Sequence, residues 1–355
     1  MNKDMDPCGI ECAHAAALPA KLKPQLPTLV AAVPSGDQWL HEIKYDGYRI
    51  IARLARGKVK LRSRNGNDWT AKFPTIAAAL RDLPVKNALL DGEVVHEEPN
   101  GITSFSLLAI DLSEGRTEHL VYYVFDLPYL NGCSVMASRL EKRKRFLEAL
   151  LTPRSAKLIR YSKHVEGDGS AFYTKCCSLA LEGVVSKRRD APYIPGHGHG
   201  WLKIKCAARE EFAIIGWTDP AGSREGFGSL LLGYYDAQGN PHYAGRVGTG
   251  FTRATLRDLR NRLDQLTVNT APAAEMAAAA PTRPHWVIPE LVAEVRFTEW
   301  TRDRRLRHPV FLGLREDKKG RDVVLDPAIG TALDRTAGDN EVSARVLEHR
   351  TLRSN

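Results

Sequence analysis

The chain has no apolar run long enough to cross a bilayer, which excludes an ordinary helical membrane protein. Its first residues show no basic start followed by an unbroken apolar stretch, so they predict no secretory leader and a cytoplasmic protein. Cysteine is sparse: six in 355 residues, with Cys176 and Cys177 adjacent and the others scattered. That does not resemble a disulfide framework and predicts reduced thiols. Cys8, Cys12 and His14 could begin a zinc site, but no second ligand pair at finger spacing follows. A P-loop is missing as well, because no Gly-x-x-x-x-Gly-Lys-Ser/Thr occurs. Gly222, Gly226 and Gly228, and again Gly245, Gly248 and Gly250, imitate nucleotide-binding spacing without a strand-to-helix setting, and read better as turns.

What is present fits a soluble chain of two domains. The length exceeds the usual reach of one core, and 43% hydrophobic with 26% charged residues is ordinary globular composition. A net charge of +9 and a pI near 9.2 favour a polyanionic partner. Charge alone does not distinguish nucleic acid from other anions.

Residues 1–21 are rich in Ala and Pro without periodicity and predict a tail or arm. Short β-rich runs follow at 50–54, 58–62, 88–95 and 120–127, with Asn65-Gly66 as a turn. Phe73, Ile76, Leu80 and Leu83 recur at helical spacing, with Pro74 suited to a first turn. Further helices are predicted at 139–151 and 170–181, and strands at 183–187 and 201–205. The short connections favour an α+β domain with mostly antiparallel sheets over 22–206. Beyond Lys205 come strands at 212–217, 229–235, 242–247, 291–297 and 306–312, with one helix at 255–266 and an Ala/Pro-rich segment at 271–284. This count fits a five-stranded OB-fold β-barrel over 207–325, then a polar tail at 326–355.

The sharpest local signal is Glu42-Ile43-Lys44-Tyr45-Asp46-Gly47-Tyr48-Arg49, a strand-end lysine followed by a tight turn and an arginine. Alone it reads better as a surface lysine beside an Asp-Gly turn. An ordered series of phosphate-handling residue types comes after it: Arg64, Asp91-Gly92-Glu93, Phe125, Glu182-Gly183 with Lys187, Lys203 with Lys205, and Arg315-Glu316-Asp317-Lys318. Together these resemble the motifs of the covalent nucleotidyltransferases, and the wording of 39–44 and 243–250 is most similar to the ligase module of bacterial end-joining DNA ligases. The resemblance spans about 22–325.

The resemblance implies a nucleotidyltransferase (adenylation) domain joined to the OB-fold, with ATP taken between them. It implies that Lys44 is adenylated and passes AMP to the 5′-phosphate of nicked double-stranded DNA. It places Glu42 at the adenine edge, Phe125 on the adenine face and Glu93 at the ribose or a metal. Arg49 and Arg64 would face the sugar or transferred phosphate. Lys203 and Lys205 would hold the α-phosphate, Arg315 and Lys318 the pyrophosphate, and Glu182 the metal, Mg²⁺ with Mn²⁺ as an alternative. The implied setting is DNA repair by end joining, a monomer in the bacterial cytosol, with a Ku-type end-binding protein as a candidate partner and no membrane.

The chemistry explains the mixture of bases and carboxylates. At an unperturbed pKa only about one lysine in 2,500 is neutral at pH 7, a penalty of roughly 4.6 kcal/mol, so the amine needs help to attack a phosphate. Both reactants are anionic, so cations must neutralise the transition state. Two positions depart from the family pattern: His197 stands where many ligases have arginine, and Leu312 where close relatives have lysine. The rival readings are an RNA ligase or guanylyltransferase of the same superfamily, and a catalytically idle DNA-end-binding module.

Overall fold

The computed structural model describes residues 6–151, 158–206, 208–220, 225–281, 283–301 and 303–325. The chain divides after Cys206 into two compact units. Among the described residues, the first contains β1 (His14–Ala15), β2 (Gln25–Leu29), β3 (Trp39–Ile43), β4 (Tyr48–Ala55) and β5 (Lys58–Ser63). Helix α1 (Pro74–Arg81), β6 (Asn87–His96), α2 (Phe105–Glu114), β7 (Leu120–Leu130), β8 (Cys133–Ser134) and α3 (Leu140–Leu151) follow. It ends with β9 (Ile159–Tyr161), β10 (His164–Val165), α4 (Gly169–Ser178), β11 (Gly183–Arg188) and β12 (Gly196–Lys205).

These strands make two sheets. One runs β1-β8-β7-β6-β4-β5 with β9 beside β7, and the other runs β10-β3-β11-β12-β2. Every pairing is antiparallel except β7 with β9 and β12 with β2. Edge strand β5 alternates solvent-facing lysines with buried Val59 and Leu61, the period of a half-covered strand, while interior β6 is buried along nearly its whole length. Helix α1 starts at a proline whose missing N–H costs nothing there, and it buries Ile76, Ala77 and Leu80. Helix α3 is unusual in burying Arg143 and Lys144. Arg143 forks onto Asp126 at 2.8 and 2.9 Å, and neither side chain is exposed.

The second unit holds β13 (Ala208–Trp217), β14 (Leu230–Tyr235), β15 (Pro241–Val247), α5 (Arg253–Gln265), β16 (Thr267–Val268) and α6 (Ala274–Ala279). After these come β17 (His285–Val287), β18 (Val292–Phe297), β19 (Glu299–Trp300), β20 (Leu306–Arg307) and β21 (Val310–Leu314). The ladder runs β15-β14-β13-β17-β16, with β18 on β13 and β21 on β18. Among the described residues it does not close into a ring, as suits a partly open OB-fold. Phe212, Ile214, Phe227, Leu230, Leu232, Leu259 and Leu263 fill its core. Thr252 caps α5 through the Thr255 amide.

Several elements differ from the sequence reading. The described part of the segment read as a tail lies against the first sheet: β1 pairs with β8, Ala16, Leu18 and Leu22 pack on Ile51, Leu89 and Tyr129, and Arg53 donates to the Pro19 carbonyl. The thiols expected to be reduced form two disulfides, Cys8–Cys133 and Cys177–Cys206. Their partners lie 125 and 29 residues apart, brought together by the β1–β8 pairing and by α4 lying over β11, which spacing alone does not reveal. Helix α2 and the short α6 were not anticipated. The strand read at 201–205 begins at Gly196, and the one read at 306–312 is split into β20 and β21. The C-terminal tail read at 326–355 lies outside the described residues.

Candidate active site

Register across the second sheet sets out the chemistry in rows. Glu42 lies opposite Val185, which lies opposite Lys203; Leu40 lies opposite Lys187, which lies opposite Trp201. Side chains directly opposite on antiparallel strands share a face. Lys44 sits just past β3, with its amide donating to the Gly183 carbonyl at 2.9 Å, so it continues the face of Leu40 and Glu42, and Lys205 is paired with Gly183. The first sheet supplies the opposing row, Arg49 opposite Glu93 opposite Tyr123. The β6–β7 register slips between Asp91/Asp126 and Gly92/Val124, leaving Phe125 as the extra residue of a bulge. Such irregularities turn a side chain out of the regular alternation.

The two rows enclose a cleft lined by Pro27, Glu42, Ile43, Lys44, Tyr45, Arg49, Glu93, Phe125, Val185, Lys187 and Trp201. Two glycines make the approach possible. A Cβ on Gly47 would meet the Val94 carbonyl oxygen at 2.0 Å, and one on Gly183 would meet that of Ile204 at 2.0 Å, where φ is also +153°.

The Lys44 ammonium is ion-paired with the Glu182 carboxylate. Glu42 is buried, and its carboxylate accepts from Lys144 at 2.7 Å, Ser162 at 2.7 Å and Lys187 at 2.9 Å. Burial pushes its carboxyl up, yet the two ammoniums and the hydrogen bonds outweigh this and hold it below the usual carboxylate range. Lys187 goes the other way: burial is the largest influence and, with Lys144 nearby, brings it down to about 8 against the pull of Glu42. Its ammonium lies 4.3 Å from both the Phe125 and the Trp201 ring centres. Arg49 forks onto Asp91 with both contacts at 2.7 Å, donates to the Gln25 carbonyl and flanks the Phe125 ring at 4.7 Å. Tyr193 donates to the same Asp91 at 2.6 Å.

Of the residues singled out in the sequence, Lys44, Glu42, Arg49, Glu93 and Phe125 line one cleft, and Glu182 reaches it through Lys44. Lys203 and Lys205 stand on the same sheet face without being among its walls. Arg64 lies in the turn after β5 and is not a wall either. The guanidinium of Arg49 is held by Asp91 at the edge of this cleft. Arg315 and Lys318 belong to the second unit, where carboxylates hold them. Lys144, Ser162, Tyr193 and the pairing role of Asp91 were missed. Lys144 had a signal: it stands on the stripe Leu140, Leu147 and Leu151, a charge on the apolar face of its own helix.

Two mostly antiparallel sheets around a cleft with a strand-end lysine, carboxylates and an aromatic face, joined to an OB-type unit, define a covalent nucleotidyltransferase. Comparison with known proteins narrows the class. A model of the ATP dependent DNA ligase domain matches residues 20–205, and one of the ATP dependent DNA ligase C terminal region matches 223–318. The multifunctional non-homologous end joining protein LigD of Pseudomonas aeruginosa is 41% identical over 309 residues, 86% of this chain and 37% of that protein. The LigD end-joining repair protein of Mycobacterium tuberculosis is 38% identical over 293 residues, 81% and 37% of the two chains. A mycobacterial DNA ligase D structure complexed with ATP and MES shares the fold at a TM-score of 0.64 and 35% identity, covering 85% of this chain and 98% of that one. The chain belongs to the ATP-dependent DNA ligase family. It spans about 37% of the length of these two LigD relatives.

Proposed function

We propose that this chain seals 5′-phosphate/3′-hydroxyl nicks in double-stranded DNA through a Lys44–AMP intermediate, in the repair of breaks by end joining. The observation that carries the reading is the meeting of Lys44, its partner Glu182, Glu93 and the out-turned Phe125 at one cleft. In the first step the Lys44 amine loses its proton and attacks the α-phosphorus of ATP; an N–P bond forms, and the bond to pyrophosphate breaks. AMP then passes to the DNA 5′-phosphate, and the 3′-hydroxyl closes the nick with AMP departing. Phe125 and Val185 present apolar faces for adenine, and Glu42, held as a carboxylate by Lys144 and Lys187, is an acceptor for its amino group. Lys203 and Lys205 serve the α-phosphate through all three steps, Arg315 and Lys318 the pyrophosphate in the first.

Glu93 and Glu182 would hold Mg²⁺ or Mn²⁺, hard cations that take carboxylate oxygens. The ion's chemistry there is neutralisation of phosphate charge. A Ku-type end-binding protein fits as partner, since the relatives are end-joining proteins by name. A cytosolic monomer is the simplest setting. Incubation with α-labelled ATP or α-labelled GTP, followed by denaturing electrophoresis, tests the reading: label from ATP alone, acid-labile and chased into product by nicked DNA, supports it. Label from GTP would move the chain to the capping side of the superfamily.

A further inference from the structure

Strand pairing in the second unit places Glu211 of β13 directly opposite Glu294 of β18. Like charges at facing positions of an antiparallel pair repel at short range, and Glu294 is only 6% exposed, so solvent screens little. On the other face of the same two strands, Phe212, Ala293 and Val295 are apolar core, so the charges are confined to one face. What compensates the two carboxylates is a set of cations. Arg315 donates to Glu294 at 3.1 Å, lies 3.5 Å from Glu211 and forks onto Asp317 at 2.9 and 3.0 Å. Lys318 is ion-paired with Glu211, and Arg209 donates to Glu294 at 2.7 Å. The Arg315 amide also donates to the Val292 carbonyl. A buried ion network of this kind is weak evidence for stability, since apolar side chains of similar volume commonly serve as well or better. It does fix the direction of a guanidinium and an ammonium.

We propose that Glu211 and Glu294 form an acidic cradle that positions Arg315 and Lys318 for the first chemical step and has no part in closing the nick. The proposal rests on the role given to these two cations above. Glu211 and Glu294 are positioning residues, which act by presenting the two cations together.

The experiment uses the full chain carrying Glu211→Gln or Glu294→Gln, which preserve shape and remove charge, with Arg315→Ala alongside. Three quantities are read: the single-turnover rate of Lys44 adenylation at saturating ATP, the pyrophosphate concentration for half-maximal reversal of the adenylate, and sealing of a nick already carrying AMP. The cradle predicts adenylation slowed about tenfold or more, a similar rise in the pyrophosphate requirement, and pre-adenylated sealing within twofold of wild type. A merely structural role impairs sealing of the pre-adenylated nick along with the other two and overturns the proposal. Unchanged adenylation also overturns it, and so does faster adenylation, which would make the carboxylates an inhibitory latch. Arg315→Ala separates the levels: if it spares adenylation, the role given to Arg315 in the first step falls and the cradle with it. If it blocks adenylation while both glutamine variants are normal, only the cradle falls. Should Glu294→Gln not fold, Glu211, the more exposed of the two at 21%, carries the test.

Discussion

Lys187 shows how the cleft sets one residue's charge against the fold. Its ammonium, ordinarily at 10.5, is brought to about 8 chiefly by burial. A folded pKa below the unfolded one means that between pH 8 and 10.5 the unfolded chain binds the extra proton, so stability rises with pH across that window. Below pH 8 the destabilisation is fully present. Lys187→Met should therefore flatten this rise, visible in urea midpoints measured from pH 7.5 to 10.5; curves that stay parallel would remove the buried charge from the account. Glu182→Ala should reduce adenylation far more than nicked-DNA binding, because its proposed role is at the amine and the cation. An equal loss in a filter-binding assay would make Glu182 structural. Lys44, Glu93, Phe125 and Glu182 were legible because their chemistry is ordered along the chain. Lys144 was not, since lysine is ordinarily a solvent-facing residue and only its partner, 102 residues away, explains its burial.

Whole elements were read best where burial imposed a clean period. Helices α1, α3, α4 and α5 were all anticipated within a few residues, but α2 buries only Phe105, Leu108 and Asp111, and the apolar residues between them blur the stripe. The start of β12 is three glycines and two histidines with no strand signature; parallel pairing with β2 creates it. Helix α3 gives the clearest prediction at this scale. Arg143→Met leaves Asp126 buried without its fork partner, so it should cost about 3–5 kcal/mol, a fall in Tm of roughly 10 °C for a unit of this size. Differential scanning calorimetry checks this; a loss under 1 kcal/mol would mean the pair is idle. Gly47→Ala should also destabilise, by about 1–3 kcal/mol, because its Cβ meets backbone that cannot swing aside.

For the whole molecule, the net charge of +9 acquires a use once DNA is the proposed substrate. DNA affinity should fall steeply between 50 and 200 mM salt, with each neutralised phosphate adding about 0.9 to the log–log slope. A flat response would contradict a phosphate-embracing surface. The division after Cys206 coincides with a change of texture that composition carries, from mixed α and β to short strands with glycine-rich turns. The disulfides and the packed N-terminal segment depend on contacts between distant residues, which no local pattern encodes. The central claim is that Lys44 carries AMP, and the most direct measurement is incubation with α-labelled ATP and Mg²⁺ of the wild-type chain beside Lys44→Ala and Lys44→Arg. The account predicts acid-labile label on wild type, chased by nicked DNA, and none on either variant. Label that persists on Lys44→Ala would place the nucleophile elsewhere and contradict it.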